Sequence, residues 1–290
     1  MPSDSVQFRC NICGRANRRP RSELSRESPS CSHCGSNVRT RGLLQALSLE
    51  LFGMSLALPD FPYVKSLRGL GISDDSSYAY HLDQKLDYRN TFYDQEPRFD
   101  IANPPEDEFG RYDFLISSEV FEHVPPPVET AFSNAFRLLK PSGVLVFTVP
   151  YSLEPAPAEH FPELHEFGLA QLGDKTVLVN RTREGKVQVF ENIVFHGGRG
   201  ATVEMREFTE QSLKAALTGA GFRDIRIYSE NYGPFGIVRS ESWSLPIAGR
   251  KGPGGLSPDA TRDVLEQWWR LKRLEQVFWF RLGRKLGFLR

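Results

Sequence analysis

The pattern of apolar and polar residues predicts helices and strands from about residue 40 onward. In "VRTRGLLQALSLELFG" the apolar residues recur at helical spacing, at Leu43, Leu44, Leu47 and Leu51. The following "YVKSLRGLGISDDSSYAYHL" begins as a short apolar strand, breaks at Gly69-x-Gly71 and continues as a helix. The pattern therefore predicts one helix followed by a strand–glycine–helix unit.

The centre of the chain continues this alternation. "YDFLISSE" predicts a buried strand, "PVETAFSNAFRLLKPSG" a helix ended by Pro141 and Gly143, and "VLVFTVPY" a second buried strand. Strands that alternate with helices are typical of a parallel sheet covered on both faces. We therefore expect an α/β fold.

The pattern changes in the next hundred residues. "TVLVNRTREGKVQVF" consists of two alternating runs around "REGK", which predicts a β-hairpin. "TEQSLKAALTGAGF" predicts a helix that is capped by Thr209 and ended by Gly221. "DIRIYS" and "FGIVRS" are expected to supply the last strands, before a glycine- and proline-rich linker.

The composition is that of an ordinary globular protein, with 290 residues, 40% hydrophobic and 25% charged. No apolar run reaches the length of a membrane span, and "MPSDSVQFRC" has no secretory core, so we expect a cytoplasmic protein. Net charge is zero overall, but residues 1–41 carry eight arginines against three acids, a net of +5. Basic ends suggest an anionic partner such as nucleic acid, phospholipid or phosphorylated substrate. Solvated surface is the alternative.

Four cysteines lie in "CNIC" and "CSHC", each pair followed by a glycine. Two such pairs at this spacing are typical of a zinc ribbon, in which four thiolates close a tetrahedral site. The metal ligands are therefore predicted to be Cys10, Cys13, Cys31 and Cys34, holding a structural Zn²⁺. His33 is not needed as a fifth ligand. Redox disulfides are the less favoured alternative.

Three regions follow from these signals. Residues 1–41 are predicted to be a zinc ribbon, and residues 42–247 an α/β domain with an insert at about 151–208. Residues 248–290 are predicted to be a linker and a basic helix.

Polar chemistry follows the buried strand in "DFLISSEVFEHV". In open parallel sheets, ligands bind beyond the carboxyl ends of the strands, where loops carry polar groups. Ser117, Ser118 and Glu119 are expected to face this crevice, together with Gly69 and Gly71.

"YDFLISSEVFEHV" with "AFRLLKPSGVLVFTVPY", and later "LKAALTGAGFRDIRIY", resembles the class I S-adenosylmethionine-dependent methyltransferases, in the subgroup called methyltransferase type 11. The resemblance covers about residues 62–235. It implies a seven-stranded Rossmann-like sheet whose final strand is antiparallel, with S-adenosylmethionine bound at the switch point.

The resemblance also implies roles for individual residues. Gly69 and Gly71 match the loop beside the methionine part of the cofactor, and Asp94, or failing that Glu96, matches the acid that holds the ribose. Asp100 matches the adenine contact. Ser118 and Glu119 match the strand end near the reactive methyl. Leu67 stands where the family has an acid, so a fold that no longer binds cofactor is an alternative.

Methyl transfer to a hydroxyl group needs a base near neutral pH. The candidates are His123 after Glu122, His160 in "EPAPAEHFPELHEF" and His196 before a run of glycines. For His123 and His196 a structural role is the alternative, and the segment of His160 resembles a lid. The "FHGGRG" to "EMREF" stretch, together with the N-terminal ribbon, resembles a bacterial subgroup associated with glycan and secondary-metabolite assembly. This resemblance favours O-methylation of a saccharide, a lipid-linked glycan or a related small molecule.

The C-terminal segment places apolar residues on one helical stripe, at Val264, Trp268, Leu271, Leu274, Phe278, Leu282, Leu286 and Leu289. Such a basic helix can lie on an anionic membrane, pack on the body or join a homodimer. The two rival functions are an rRNA base methyltransferase with a zinc ribbon that binds RNA, and a non-catalytic zinc-bearing scaffold.

Overall fold

The computed structural model describes residues 4–196, 202–276 and 285. The helices are α1 (Val38–Phe52), α2 (Ser76–Lys85), α3 (Glu129–Leu138), α4 (Glu210–Ala220) and α5 (Pro258–Gln276). The strands are β1 (Ser5–Arg9), β2 (Ala16–Pro20), β3 (Val64–Ile72), β4 (Leu86–Thr91), β5 (Tyr112–Ser118), β6 (Leu139–Thr148), β7 (Tyr151–Ser152), β8 (Ala158–Glu159), β9 (Glu166–Leu172), β10 (Lys175–Arg181), β11 (Val187–Phe190), β12 (Phe195–His196), β13 (Thr202–Val203), β14 (Arg206–Thr209), β15 (Arg223–Ile227) and β16 (Ile247–Arg250).

A six-stranded sheet in the order β15-β16-β6-β5-β3-β4 forms the centre of the fold. β3, β4, β5 and β6 run parallel, and β16 is antiparallel to both of its neighbours. The expected parallel sheet with an antiparallel final strand is therefore confirmed. The carboxyl ends of β3, β5 and β6 meet at one edge of the sheet, because Ile72 lies opposite Ser117 and Ser118 opposite Thr148.

The sheet has one strand fewer than the seven expected. Within the described chain, residues 92–111 after β4 add no strand to the sheet and contain only an isolated bridge and one 3-10 turn. Their sequence includes Pro97, Pro104 and Pro105, which cannot donate a ladder hydrogen bond. β4 therefore forms the edge of the sheet.

The final strand is Ile247–Arg250, so the prediction of a strand at "FGIVRS" was wrong. Phe235 and Gly236 belong to a 3-10 turn and its cap, and Gly236 has a φ of +64°. The buried residues of "FGIVRS" pack with Phe8 of β1 rather than pairing in the sheet. The strand Ile247–Arg250 overlaps the predicted start of the linker at residue 248. The glycine-rich "AGRKGPGG" sequence around it predicts a linker rather than a strand.

One face of the sheet shares its core with the four-cysteine segment. Phe8, Cys10 and Ile12 lie in the same buried cluster as α1 residues such as Leu43 and Leu47. α1 begins at Asn37, which forms a capping box with Thr40, and ends at Gly53 in the left-handed region. α3 and α4 cover the other face through a second cluster. Helices thus cover both faces.

Arg41 of α1 joins the N-terminal segment to the body. Its buried guanidinium donates to Ser36 O at 2.8 Å, to Ser30 Oγ at 2.8 Å and to Gly236 O at 3.1 Å. The guanidinium also lies 4.8 Å from the centre of the Phe8 ring. One side chain therefore satisfies three acceptors, two in the N-terminal segment and one in the body.

The insert contains the predicted hairpin. β10 and β11 pair antiparallel, and β9 extends them to a three-stranded sheet. β14 returns to the body, where it pairs with β7 and β8. α4 follows with the predicted Thr209 cap and Gly221 end. The insert is thus fastened next to the carboxyl ends of β5 and β6.

The C-terminal helix α5 packs through its first turns. Ala260 is buried in the shared core, and Tyr63 N donates to Gln267 Oε1 at 2.9 Å. Leu265, Trp268, Trp269 and Leu271 are about half exposed. Phe278, Leu282, Leu286 and Leu289, together with the side chain of Leu274, lie outside the described residues. Within the described parts of the chain, no helix is long and apolar enough to cross a membrane.

Candidate functional site

The four cysteines converge on one point. Their sulfur atoms all lie within 4.8 Å of one another, and the Cys10–Cys34 and Cys13–Cys31 pairs are each 3.7 Å apart. A tetrahedron of sulfurs about 2.3 Å from zinc has edges of about 3.8 Å. The donor set therefore fits a closed four-thiolate zinc site, and these separations are too long for disulfide bonds.

Polar groups next to the sulfurs support this reading. Gly14 and Gly35 have φ values of +75° and +72°, and each donates its amide to the carbonyl of the first cysteine of its knuckle. Ser36 Oγ lies 3.2 Å from Cys10 Sγ, and Asn17 Nδ2 donates to Cys31 Sγ at 3.5 Å. Such contacts orient and stabilise thiolate ligands. Four protein ligands would leave no open position on the metal for a substrate.

Both predicted cofactor glycines lie inside β3 rather than in a loop after it. A Cβ on Gly69 would lie 2.0 Å from the Phe114 ring, and one on Gly71 would lie 2.0 Å from the Tyr88 hydroxyl. The protein's own aromatic side chains therefore occupy the space that these glycines leave. The turn itself begins at Ser73, which has a φ of +58°.

Asp74 follows this turn and is completely buried. Tyr78 and Tyr88 donate their hydroxyls to its two carboxylate oxygens at 2.7 and 2.6 Å. Burial raises the pKa of the Asp74 carboxyl to about 7, although the two tyrosine hydrogen bonds lower it. The Tyr88–Asp74–Tyr78 group thus fixes β3, α2 and β4 together beneath the crevice.

The predicted nucleoside contacts lie in the segment after β4. Asp94 and Glu96 are exposed, and Glu96 accepts a hydrogen bond from Arg98 N at 3.0 Å. Asp100 is half-buried and accepts from Ala102 N at 2.9 Å. All three are on the β4 side of the carboxyl-end crevice, as a nucleoside site would require.

Two arginines from the N-terminal region reach the end of β5. Arg39, at the start of α1, donates to Ser118 Oγ, and Arg26 donates to Glu119 Oε1 at 2.8 Å. Glu119 has a φ of +56°, a strained conformation of a kind that clusters at functional sites. Burial lowers the pKa of Arg39, but Glu119 and Glu27 outweigh it and the net pKa is raised. Both cations are therefore held at the mouth of the crevice.

Glu122 and His123 come directly after this strand end. Glu122 is buried, and neither of its oxygens has a hydrogen-bond partner among the described residues. Burial and the carboxylates of Glu119 and Glu204 raise the pKa of Glu122 well above its usual range. His123 Nδ1 lies 2.9 Å from Val203 O, and its Nε2 is 3.6 Å from Glu122. His123 thus connects the β5 loop to the insert.

The insert brings a second imidazole to the same place. His160 Nε2 lies 3.1 Å from Glu204 Oε1, and the imidazole is about one-third exposed. Arg206 is buried, pairs with Glu159 and donates to Phe121 O and Val124 O. The Arg206–Glu159 pair lies across the β14–β8 pairing. The side chain of His196, at the end of β12, lies outside the described residues.

Several residues of this site were not predicted. Glu122 stands directly before His123 in the sequence, so a search for carboxylates next to imidazoles would have found it. Glu204 is 44 positions from His160, and tertiary packing brings the two together. Asp74 follows the strand of the predicted glycines, but no local pattern marks it as buried. Arg26 and Arg39 contact strand ends about eighty or more positions away, and no local signal marks them.

Comparison with known families identifies the class of protein. A family profile described as a methyltransferase domain matches residues 65–227, more than half of the chain. The chain therefore belongs to this methyltransferase domain family, as a class I S-adenosylmethionine-dependent enzyme. No curated protein matches it in sequence.

Two solved structures illustrate the resemblance. One is the Burkholderia thailandensis 1,6-didemethyltoxoflavin-N1-methyltransferase bound to S-adenosylhomocysteine, at 17% identity and a TM-score of 0.39, over 76% of this chain and 84% of that chain. The other is a sugar N-methyltransferase from a Streptoalloteichus species, at 12% identity and a TM-score of 0.42, over 77% of this chain and 89% of that chain.

Replacing Cys10 tests the structural role of the four-cysteine site. We expect Cys10→Ser to release zinc and to lower solubility, because folding and metal binding of this segment are one event. His33→Gln, in the second knuckle but outside the ligand set, is the matched control and should keep its metal. Zinc content and soluble yield are the measurements. Loss of turnover in a folded, zinc-loaded Cys10→Ser protein would contradict a structural site.

The raised pKa of Asp74 predicts a pH dependence of stability. The Asp74 carboxyl contributes most to the free energy of unfolding below its ordinary pKa near 4. This contribution is lost as the pH rises toward 7. Through this group, the wild-type protein should lose on the order of 2–4 kcal/mol of its free energy of unfolding between pH 4 and pH 8. Asp74→Asn should not show this loss. Urea unfolding at the two pH values measures it. Asp75→Asn, which keeps the α2 cap, should behave as wild type, and an unchanged pH slope in Asp74→Asn would refute the assignment.

Proposed function

We propose that this enzyme transfers the methyl group of S-adenosylmethionine to a hydroxyl group of a saccharide, a lipid-linked glycan or a related small molecule. The observation that carries the proposal is the His160–Glu204 pair beside the end of β5. A hydroxyl acceptor needs a base, and an imidazole oriented by a carboxylate is a base suited to neutral pH.

The hydrogen-bond geometry supports different tasks for His160 and His123. His160 donates from Nε2 to Glu204 at 3.1 Å, which leaves Nδ1 as its basic nitrogen. His123 donates from Nδ1 to Val203 O, and its side chain is only 13% exposed. We therefore propose His160 as the group that accepts the acceptor's proton and His123 as a positioning residue. His196 remains a sequence-based candidate.

Bound S-adenosylmethionine supplies an electrophilic methyl group, and the chain's own residues supply position and proton transfer. An in-line displacement depends mainly on orientation, which the strained Glu119 backbone and the Arg26–Glu119 ion pair hold fixed. Burial and the carboxylates of Glu119 and Glu204 raise the pKa of the nearby Glu122 carboxyl, which favours its neutral form. Arg206 holds the insert against the β5 loop.

The cofactor assignment rests on the same edge of the sheet. We propose that Asp94 and, secondarily, Glu96 hold the ribose hydroxyls, and that Asp100 accepts from the adenine amine. Ser118 and Glu119 border the methyl end. Gly69 and Gly71 are assigned to packing rather than to direct contact, since Phe114 and Tyr88 fill their open sides. Arg39, which now bonds Ser118, is a suitable cation for the cofactor's carboxylate.

The N-terminal arginines argue for a small-molecule acceptor over RNA. Arg9 pairs with Asp60, Arg26 with Glu119 and Glu27, and Arg39 with Glu27. Guanidiniums that are paired within the protein are poor contacts for phosphates along an RNA backbone. The exposed aromatic residues of α5 remain a proposed contact for a membrane that carries a lipid-linked glycan.

The acceptor class can be identified directly. Zinc-loaded protein is incubated with methyl-labelled S-adenosylmethionine and fractionated extract, and the label is followed into glycan, lipid and RNA. We expect label in the glycan or small-molecule fraction. Label confined to RNA favours the rRNA enzyme, and no label together with no heat of cofactor binding favours the scaffold.

Replacing His160 tests the proposed base. His160→Gln should lower kcat about 10²–10⁴-fold, the range for loss of a general base, with little change in affinity for S-adenosylhomocysteine. His165→Gln, an exposed histidine of the same insert, is the matched control and should stay active. Steady-state kinetics measures both. Full turnover by His160→Gln would remove His160 from the chemistry.

The two candidate ribose acids can be separated by titration calorimetry with S-adenosylhomocysteine. Asp94→Asn should weaken binding about 10–100-fold, because charge-assisted hydrogen bonds to the ribose are lost. Glu96→Gln should have a smaller effect, because the Glu96 carboxylate accepts from Arg98 N of its own loop. The reverse order would show that the ribose lies nearer Glu96.

A further inference from the structure

Arg239 carries a partly buried positive charge that the proposed chemistry does not use. Its Nε donates to Glu230 O at 3.2 Å, whereas its Nη2 is buried and has no hydrogen-bond partner among the described residues. Across the described chain, no carboxylate forms an ion pair with it. Burial lowers the pKa of the guanidinium to about 10. A buried guanidinium nitrogen without a partner is costly, so its presence needs an explanation.

Tyr151 presents a second polar group of this kind, and its phenol and the Arg239 guanidinium act electrostatically on each other. The Tyr151 hydroxyl is buried and has no hydrogen-bond partner of normal geometry among the described residues. Burial raises its pKa, although the backbone of Leu245 lowers it. Its backbone is fixed, since Tyr151 N donates to Ser244 Oγ at 2.9 Å and Ser244 Oγ donates to Tyr151 O at 3.1 Å. Glu210, the acid whose charge acts on Tyr151, is paired with Lys214 at 2.6 Å. The phenol is therefore held rigidly with its donor unused.

Arg26 links these two groups to the reaction centre. Its Nε donates to Ser244 O at 3.0 Å, and its Nη2 donates to Glu119. Its charge acts on Tyr151, as does that of Arg239. Gly42 of α1 provides room for Arg239, because a Cβ there would lie 3.2–3.3 Å from both terminal nitrogens. Two cations and a phenol thus lie beside the end of β6.

We propose that Arg239, Tyr151 and Arg26 form a subsite for an anionic oxygen group, phosphate or carboxylate, carried by the methyl acceptor. Guanidinium and phenol donors match the oxygens of either group. The subsite deepens the proposed function and rests on it. Tyr151 follows β6 and Arg239 precedes β16, so the subsite is separated by β5 from β3 and β4, where the cofactor is assigned. The anion therefore belongs to the acceptor rather than to the cofactor.

Titration calorimetry with two probes, inorganic pyrophosphate and glucuronate, tests this subsite on the zinc-loaded full chain. At least one probe should bind, with S-adenosylhomocysteine present as well as absent. Arg239→Gln should weaken that binding about 10–100-fold, and Tyr151→Phe should weaken it less. Arg223→Gln, which removes an exposed arginine at the opposite end of the sheet, should leave it unchanged.

Several results would overturn the proposal. One is that neither probe binds, and another is that Arg239→Gln binds the probe like wild type. A third is that Arg223→Gln weakens binding as much as Arg239→Gln does. A fourth is that S-adenosylhomocysteine displaces the probe. Thermal unfolding provides a second readout, because removing an uncompensated buried cation should leave Tm unchanged or higher. A marked fall in Tm would make Arg239 a structural residue. The affinity for S-adenosylhomocysteine should be the same in every variant. If the wild-type protein does not bind S-adenosylhomocysteine, that result contradicts the proposed function, independently of the subsite.

Discussion

The docking of the four-cysteine segment onto the sheet is the constraint on which the rest of the structure depends. Arg41 joins Ser30 and Ser36 of that segment to Gly236 of the body, while Phe8 and Cys10 complete the core above α1. A segment this small folds when its thiolates bind a metal. Because it shares its core with the sheet, the segment is part of the domain rather than an appendage.

This docking determines the character of the crevice. It places Arg39 and Arg26 at the end of β5, where they contact Ser118 and Glu119. Below them, the Tyr88–Asp74–Tyr78 group fills the space beside Gly71. The titratable side chains of the proposed reaction centre therefore lie toward the insert, where His160, Glu204 and the buried Glu122 come together. The insert and the N-terminal segment together enclose the proposed reaction centre.

Local signals predicted most of the fold. The cysteine spacing, the β5–α3–β6 unit and the α4 caps depend on residues close in sequence, and the structure contains each of them. The last strand was misplaced because Ile247–Arg250 is short and lies in a glycine-rich context, whereas "FGIVRS" has the stronger apolar pattern. The contacts of Arg26, Arg39 and Arg239 depend on tertiary packing, which a single sequence does not encode locally. The charge excess of residues 1–41 was visible, but the carboxylates that pair with it were not.

A crystal structure of the zinc-loaded protein with S-adenosylhomocysteine tests the central claim most directly. The account predicts the nucleoside beyond the ends of β4 and β3, with the ribose at Asp94 and the sulfur toward Glu119. It also predicts that Arg39 leaves Ser118 to meet the ligand's carboxylate. A crevice still closed by Arg39 at saturating ligand, or a nucleoside bound elsewhere, would contradict it.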